Sequence, residues 1–146
     1  MTFSFSRKDF YHETPIHIRF RDLDPLNHVN NAVFNTYFEE ARIEFIQTVP
    51  ELRKSMHKGF SFVLAHLDLK YIKPVEYGES IVVCSSLASI GNSSVEGFQA
   101  LYSESDELKA VAKTTGVWYN TETKRPARLP SMEQRERYMF SGSTNG

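Results

Sequence analysis

The chain has 146 residues, of which 40% are hydrophobic and 24% charged, and its formal net charge is −1. This length fits one domain with a real core, and the near-neutral charge argues against a surface that coats nucleic acid. The chain has a single cysteine, no apolar leader at its start and no apolar run of about eighteen residues. We therefore expect a cytoplasmic protein with neither nucleic-acid nor membrane partners.

The first predicted element is a β-strand that leads into a polar turn. Ile16, Ile18 and Phe20 alternate with polar residues, and a period of two gives a strand one buried face.

A long helix is predicted next, from about Asn31 to Thr48, with Asn30 or Asn31 as its N-cap. Its apolar stripe recurs at steps of three and four and consists of Phe34, Tyr37, Phe38, Ala41, Phe45 and Val49. Outside this stripe fall Glu39, Arg42 and Gln47. Pro50 ends the pattern, because proline disfavours helical backbone in the residue before it. A short, exposed helical turn is predicted over Glu51 to Lys58.

The remainder of the chain reads as strands joined by short turns. The predicted strands are Phe62 to Tyr71, Ile81 to Ile90, Ser94 to Ser103 and Leu108 to Tyr119. A loop is expected over 120–130, a short terminal helix over 131–139 and a flexible tail over 141–146, so the domain covers 1–140. The order β-α-β-β-β-β predicts an α+β fold with an antiparallel sheet curled around the helix.

One face of the last long strand carries only small residues, namely Ala110, Ala112, Thr114 and Gly116. Such a face lets another element approach closely, and the apolar helix is the obvious candidate.

Most familiar catalytic motifs are missing from the sequence. It contains no G-x-S-x-G elbow, no glycine-rich phosphate loop and no dinucleotide fingerprint. Cys84 lies in an apolar strand and reads as a core residue, and His66 with Asp68 reads as a solvent-facing pair. We expect no metal site and no cofactor.

One dense polar cluster stands immediately before the helix, in the run RDLDPLNHVNN. Asp22 and Asp24 share a face if the strand continues through them. The pattern alone leaves two readings open. Asp24 either starts a turn in which Asn27 takes the left-handed conformation, or it does chemistry.

The residues of this run carry a resemblance to a known family. DLDPLNHVNNAVFNTYFEEAR resembles the D-x-D-x-x-G-H-V-N-N-x-x-Y signature of hotdog-fold thioesterases, in particular their 4-hydroxybenzoyl-CoA thioesterase branch. LDLKYIKPVEYGESIVV, SIGNSSVEGFQAL and TETKRPARLP are similar to later segments of the same family, in the same order.

The resemblance implies a single hotdog domain, a sheet wrapped around a long central helix. It implies a homodimer or dimer of dimers with active sites where subunits meet, and an acyl-CoA substrate. Asp24 would be the catalytic carboxylate, acting as nucleophile or as general base. The N-terminus of the helix would polarise the thioester carbonyl.

The family motif also suggests supporting roles for other residues. Asn31 would either assist catalysis by orienting the substrate or simply cap the helix, and His28 would either hold the loop or transfer protons in catalysis. Asn30 and Val33 would contact the substrate. Asn27 replaces the usual glycine, and asparagine tolerates the same backbone.

A cation that is common in the family's I-G-R-S-S hairpin is replaced here by Asn92. Contacts to the CoA phosphates are therefore expected from Lys124, Arg125 and Arg128.

Two other functions fit the same fold. A non-catalytic hotdog could bind acyl-CoA or an acyl-carrier protein, and a hotdog enoyl-CoA hydratase carries a related D-x-N-P-x-H motif. The spacing from Asp24 to His28 and the position of Pro25 do not match the hydratase motif.

Overall fold

A computed structural model of the chain describes residues 4–143. Its helices are α1 (Asn31–Gln47) and α2 (Pro50–Met56). Its strands are β1 (His12–Ile16), β2 (Phe60–Tyr71), β3 (Ile81–Ile90), β4 (Ser94–Ser103), β5 (Leu108–Asn120) and β6 (Arg125–Pro126). The strands form one antiparallel sheet in the order β1-β3-β4-β5-β2, and β6 pairs with the end of β5.

The sheet curls around α1, as the sequence predicted. Buried helix residues share one core with residues from β1, β3, β4 and β5, and the partly buried Leu67 and Leu69 of β2 pack against the same core. Register shifts interrupt three strand pairs, beside Ala65, Ala88 and Tyr102. Such bulges bend a strand and increase its twist, which lets the sheet wrap the helix.

The helix predictions are confirmed in position and in buried face. Every residue of the predicted apolar stripe is buried. The Asn30 side chain accepts a hydrogen bond from the N–H of Ala32, so Asn30 is the N-cap. Pro50 begins α2 at a position where its missing N–H costs nothing. The expected exposed turn after it is wrong at Leu52, which is 2% exposed.

The first strand is misplaced in the sequence prediction. β1 ends at Ile16, and Phe20–Asp22 form a 3₁₀ turn instead of continuing the alternation. The Asp22 carboxylate accepts from the backbone N–H of Arg19, which turns the chain away from the sheet. Phe20 is consequently 78% exposed, whereas Ile18 stays buried.

The small-residue face of β5 serves two purposes. Ala110 and Ala112 are fully buried in the core against α1, as expected. Thr114 and Gly116 line an open cavity beyond the point where the helix fills the sheet.

The C-terminal region is more irregular than predicted. A short 3₁₀ helix over Arg135–Tyr138 replaces the expected helix, and β6 lies within the predicted loop. The predicted tail, 141–146, lies partly outside the described residues, and Ser141 donates its N–H to the Asp9 carbonyl.

Candidate active site

The polar loop between β1 and α1 doubles back on itself. Leu23 pairs antiparallel with Val29, and the N–H of Asn30 donates to the Asp22 carbonyl at 2.9 Å. The tip of the loop holds Asn27 at φ +63°, the left-handed conformation that the sequence predicted. Asp24 is thereby held opposite His28, in the loop that leads into α1.

The two oxygens of the Asp24 carboxylate differ in their contacts. Its Oδ1 accepts from the backbone N–H of Leu26 at 2.9 Å and of His28 at 3.2 Å. Its backbone N–H donates to the His28 carbonyl at 2.8 Å. Within residues 4–143 no donor bonds its Oδ2. The turn role of Asp24 is confirmed, and it leaves one carboxylate oxygen open.

Asp22 is a buried anchor for this loop, accepting hydrogen bonds within it. It is 1% exposed and accepts from the Tyr37 hydroxyl at 2.6 Å and from the Arg19 guanidinium at 3.0 Å. Burial alone would raise the pKa of Asp22, but the bonds from Tyr37 and Arg19 outweigh it and lower that pKa. Asp22 is therefore held as a carboxylate that ties the loop to α1.

The first turn of α1 presents one backbone donor. The N–H of Ala32 is taken by the Asn30 side chain and that of Val33 by the Asn30 carbonyl, both at 2.9 Å. The N–H of Asn31 has no acceptor in the described part of the chain. The Asn31 carbonyl accepts a hydrogen bond from the Tyr71 hydroxyl at 2.9 Å. No sequence pattern predicted this contact between α1 and β2. Val33 is partly buried against the core.

A second loop, 73–80, packs against the polar loop between β1 and α1. His28 forms an isolated bridge with Glu76, and its Nε2 lies 3.7 Å from the Glu76 carboxylate. The N–H of Val29 donates to the Val75 carbonyl at 2.7 Å. His28 is therefore placed where it holds the two loops together.

The loop 73–80 is itself tied to β5 by a buried lysine. Lys109 Nζ donates to the Pro74 carbonyl at 3.1 Å and pairs with Glu79 at 3.3 Å and Glu107 at 2.8 Å. Burial opposes the charge of Lys109, but the two carboxylates raise its pKa. The lysine thus remains charged and fixes the loop 73–80 to β5.

The three cations expected to meet CoA do not lie near Asp24 within one chain. The three cations lie near the start of β2. Arg125 pairs with Asn120 at the end of β5, and Asn120 pairs with Phe60, the first residue of β2. Lys124 and Arg128 are close to Arg125 in the chain. Asn31 lies beside Tyr71, which pairs with Ala110 at the other end. The ten-residue span of β5 between these ends is about 33 Å long. Their role in binding the CoA phosphates stays a prediction.

Arg42 is less exposed than its position outside the apolar stripe suggested. It is partly buried, and its Nη1 donates to the Gln99 side-chain carbonyl at 3.3 Å. The sequence spacing indicates this partial burial. Arg42 follows Phe38 by four residues and precedes Phe45 by three, and these spacings place it on the flank of the buried helix face.

The structure agrees with the interpretation of Cys84 and of the His66–Asp68 pair. Cys84 is fully buried, and burial raises the pKa of its thiol to about 12. His66 and Asp68 are exposed. In residues 4–143, no three His, Cys, Asp or Glu side chains are grouped so that they could hold a metal ion. The helices of this region are too short or too polar to cross a bilayer.

A long helix held in a curled antiparallel sheet, with a polar loop at the helix start, defines a hotdog domain. The chain belongs to the Thioesterase-like superfamily, whose family model matches residues 18–136.

Three similar proteins are informative. An acyl-acyl carrier protein thioesterase of the Arabidopsis thaliana chloroplast, ATL3, is 26% identical over 126 residues, 83% of this chain and 64% of its own length. The long-chain acyl-CoA thioesterase FadM of Escherichia coli is 26% identical over 82 residues, 56% of this chain and 62% of its own. The chain thus spans less than two thirds of these relatives. A thioesterase from Thermus thermophilus, crystallised with coenzyme A and Zn, is 36% identical with a TM-score of 0.74, covering 90% of this chain and 93% of that one.

Proposed function

We propose that this protein hydrolyses acyl-CoA thioesters to a free acid and CoA, with Asp24 as the catalytic carboxylate. The observation that carries the proposal is the half-engaged Asp24 side chain in the loop that leads into α1. One oxygen is fixed by two backbone N–H groups, which orients the carboxylate, and the other is open. Membership of the family and the activities named for its relatives support the same chemistry.

Two chemical routes suit this carboxylate. Asp24 attacks the thioester carbonyl to give a mixed anhydride, the CoA thiolate leaves, and water then hydrolyses the anhydride. Alternatively, Asp24 removes a proton from a water molecule that attacks the carbonyl directly. In either route the carbonyl oxygen gains negative charge. The Asn31 N–H and the positive end of the α1 dipole would stabilise that charge, by roughly 3 kcal/mol for a well-placed donor.

A homodimer would complete the site. β2 is an edge strand of twelve residues, and it exposes Val63 and Leu64 to 46% and 44%. An unpaired edge of this length is a template for another strand. Antiparallel pairing of two β2 strands about a two-fold axis would place the Phe60 end of one chain beside the Tyr71 end of the other. The cations of one chain would then lie near Asp24 of its partner.

Thiol release from a panel of acyl-CoAs tests the function. We expect hydrolysis by the wild type and a loss on the order of 100-fold in kcat for Asp24→Asn, since this change removes the nucleophile or base while keeping an oxygen that can accept the loop bonds. Glu104→Gln, which neutralises an exposed turn carboxylate, is the matched control and should retain activity.

The outcomes separate the candidate functions. Unchanged hydrolysis by Asp24→Asn contradicts the role of that residue. A wild type that binds acyl-CoA and hydrolyses neither acyl-CoA nor acyl-carrier-protein substrates is a binding protein. Hydration of a crotonyl thioester without thiol release identifies a hydratase.

A further inference from the structure

A cavity of about 340 Å³ lies between the second half of α1, the start of α2 and strands β2 to β5. Most of its wall is apolar, including Ile43, Ile46, Val49, Phe62, Leu87 and Val95. It lies at the end of α1 opposite Asp24, about 16 Å along the helix from Asn31 to Arg42 at 1.5 Å per residue. Its size falls within the range of small-molecule sites.

A fixed polar group stands in this apolar wall, formed by Arg42, Gln99 and Ser85. Gln99 is 2% exposed, and its amide nitrogen donates to the Phe38 carbonyl at 3.1 Å and to the Ser85 hydroxyl at 3.0 Å. Its carbonyl oxygen accepts from Arg42 at 3.3 Å. Both amide N–H donors of Gln99 are engaged, which fixes its carbonyl oxygen as the acceptor that orients the Arg42 guanidinium against the cavity.

The charge of Arg42 is left without a counter-ion. No carboxylate of residues 4–143 forms an ion pair with it, and Gln99 engages only one of its five N–H donors. Burial lowers the pKa of Arg42, and Glu39 opposes this change through its charge. Glu39 also lines the cavity, but it is exposed and its charge is screened by solvent. A partly buried cation of this kind favours an anionic partner.

We propose that this cavity binds an aliphatic carboxylate, with the alkyl chain against the apolar wall and the carboxylate on the Arg42 guanidinium. A carboxylate matches the guanidinium fork and can accept two parallel N–H bonds, whereas a neutral alkyl chain leaves the charge unpaired. The carboxylate has two chemical sources. It belongs to a free fatty acid, or to the far end of a dicarboxylic acyl group whose thioester end lies at Asp24 of the partner chain in the proposed dimer.

Calorimetric titration with decanoate and with decan-1-ol, which share a chain length, tests the site on the wild type alone. We expect decanoate to bind at least tenfold more tightly than the alcohol, because a charge-assisted pair is stronger than a neutral hydrogen bond. Arg42→Met should abolish this preference, and the exposed Arg135→Met should keep it. Ile43→Trp places an indole at a cavity residue that is 56% exposed, so it should block both ligands without disturbing the core.

A kinetic experiment, which rests on the proposed function, distinguishes the free fatty acid from the dicarboxylic acyl group as the source of the carboxylate. The kcat/KM for the mono-CoA thioester of decanedioic acid is compared with that for decanoyl-CoA, in wild type and Arg42→Met. A preference for the dicarboxylic substrate that Arg42→Met removes identifies the distal carboxylate. Tight decanoate binding without that preference identifies the free acid. Equal binding of decanoate and decanol, with no effect of Arg42→Met in either arm, overturns the proposal. If no thioester is hydrolysed, the proposed function fails while the titration still decides the site.

Discussion

Two aspartates separated by a single residue have different physical tasks in this protein. Asp22 is buried, and its carboxylate accepts hydrogen bonds from Tyr37 and Arg19. These bonds hold the loop in place. Asp24 is half-buried and keeps one oxygen open. Their separation follows from the 3₁₀ turn, which directs the first carboxylate at the helix and leaves the second on the loop.

Removing the Tyr37 hydroxyl tests the anchoring role of Asp22. Tyr37→Phe leaves a buried carboxylate without one of its donors, so we expect the free energy of unfolding to fall by about 1–3 kcal/mol. Urea denaturation measures the change. Tyr119→Phe is the control, because the Tyr119 hydroxyl makes no hydrogen bond with the described residues, and it should alter stability by less than about 0.5 kcal/mol. Equal effects of the two changes would contradict the anchor.

At the scale of elements, the loop 73–80 depends on an ion network with a defined pH range. Hydrogen bonds from Lys109 and then Lys73 lower the pKa of Glu107 from 4.5 to about 2. A carboxyl whose pKa is lower in the folded state stabilises the fold above its unfolded pKa and loses that contribution as the pH falls through its folded pKa. The network therefore weakens between about pH 5 and pH 2.

Glu107→Gln should reveal this contribution. At pH 7 the variant should melt at a lower temperature than the wild type, and the difference should shrink steadily below about pH 5 and vanish near pH 2. Thermal unfolding followed by circular dichroism across this range measures it. Glu122→Gln, on an exposed turn, provides the comparison. A difference that stays constant down to pH 2 would rule out the charge of Glu107 as its cause.

The elements also show which features a sequence pattern can predict. α1, β3 and β4 were placed within one residue, because their periodicity and their caps or turns agree. β1 was misplaced because the alternation from Ile16 to Phe20 continued past the strand. A tertiary bond network around Asp22 then overrode it. The contact of Arg42 with Gln99 joins residues 57 positions apart, which no local pattern can reveal.

At the scale of the whole molecule, the candidate site is split between two ends of one chain. Asn31, at the end of the motif that contains Asp24, bonds to Tyr71, and the cations Lys124, Arg125 and Arg128 lie near Phe60. The sequence could suggest both parts as candidates, but it could not show their separation, which depends on strand register. The proposed pairing of two β2 edges would bring the two parts together, because it inverts one chain relative to the other.

Mixed dimers test this arrangement directly. One chain carries Asp24→Asn and the other replaces Lys124, Arg125 and Arg128 with alanine, and each homodimer should be weak in kcat/KM for acyl-CoA. If each site combines Asp24 of one chain with the cations of its partner, unfolding and refolding the two together restores one intact site in every heterodimer. Half of randomly paired dimers are heterodimers, so about a quarter of wild-type kcat/KM is expected.

The same experiment gives a different result if the cations serve Asp24 of their own chain. Each heterodimer then contains one site without the carboxylate and one without the cations, and mixing restores nothing. Leu64→Lys, placed on the exposed β2 edge, supplies the control for pairing itself, since a charge on an edge strand opposes strand addition. Introduced into both chains, it should yield monomers by light scattering and remove the recovery. Recovery that survives in monomeric chains would exclude a shared site.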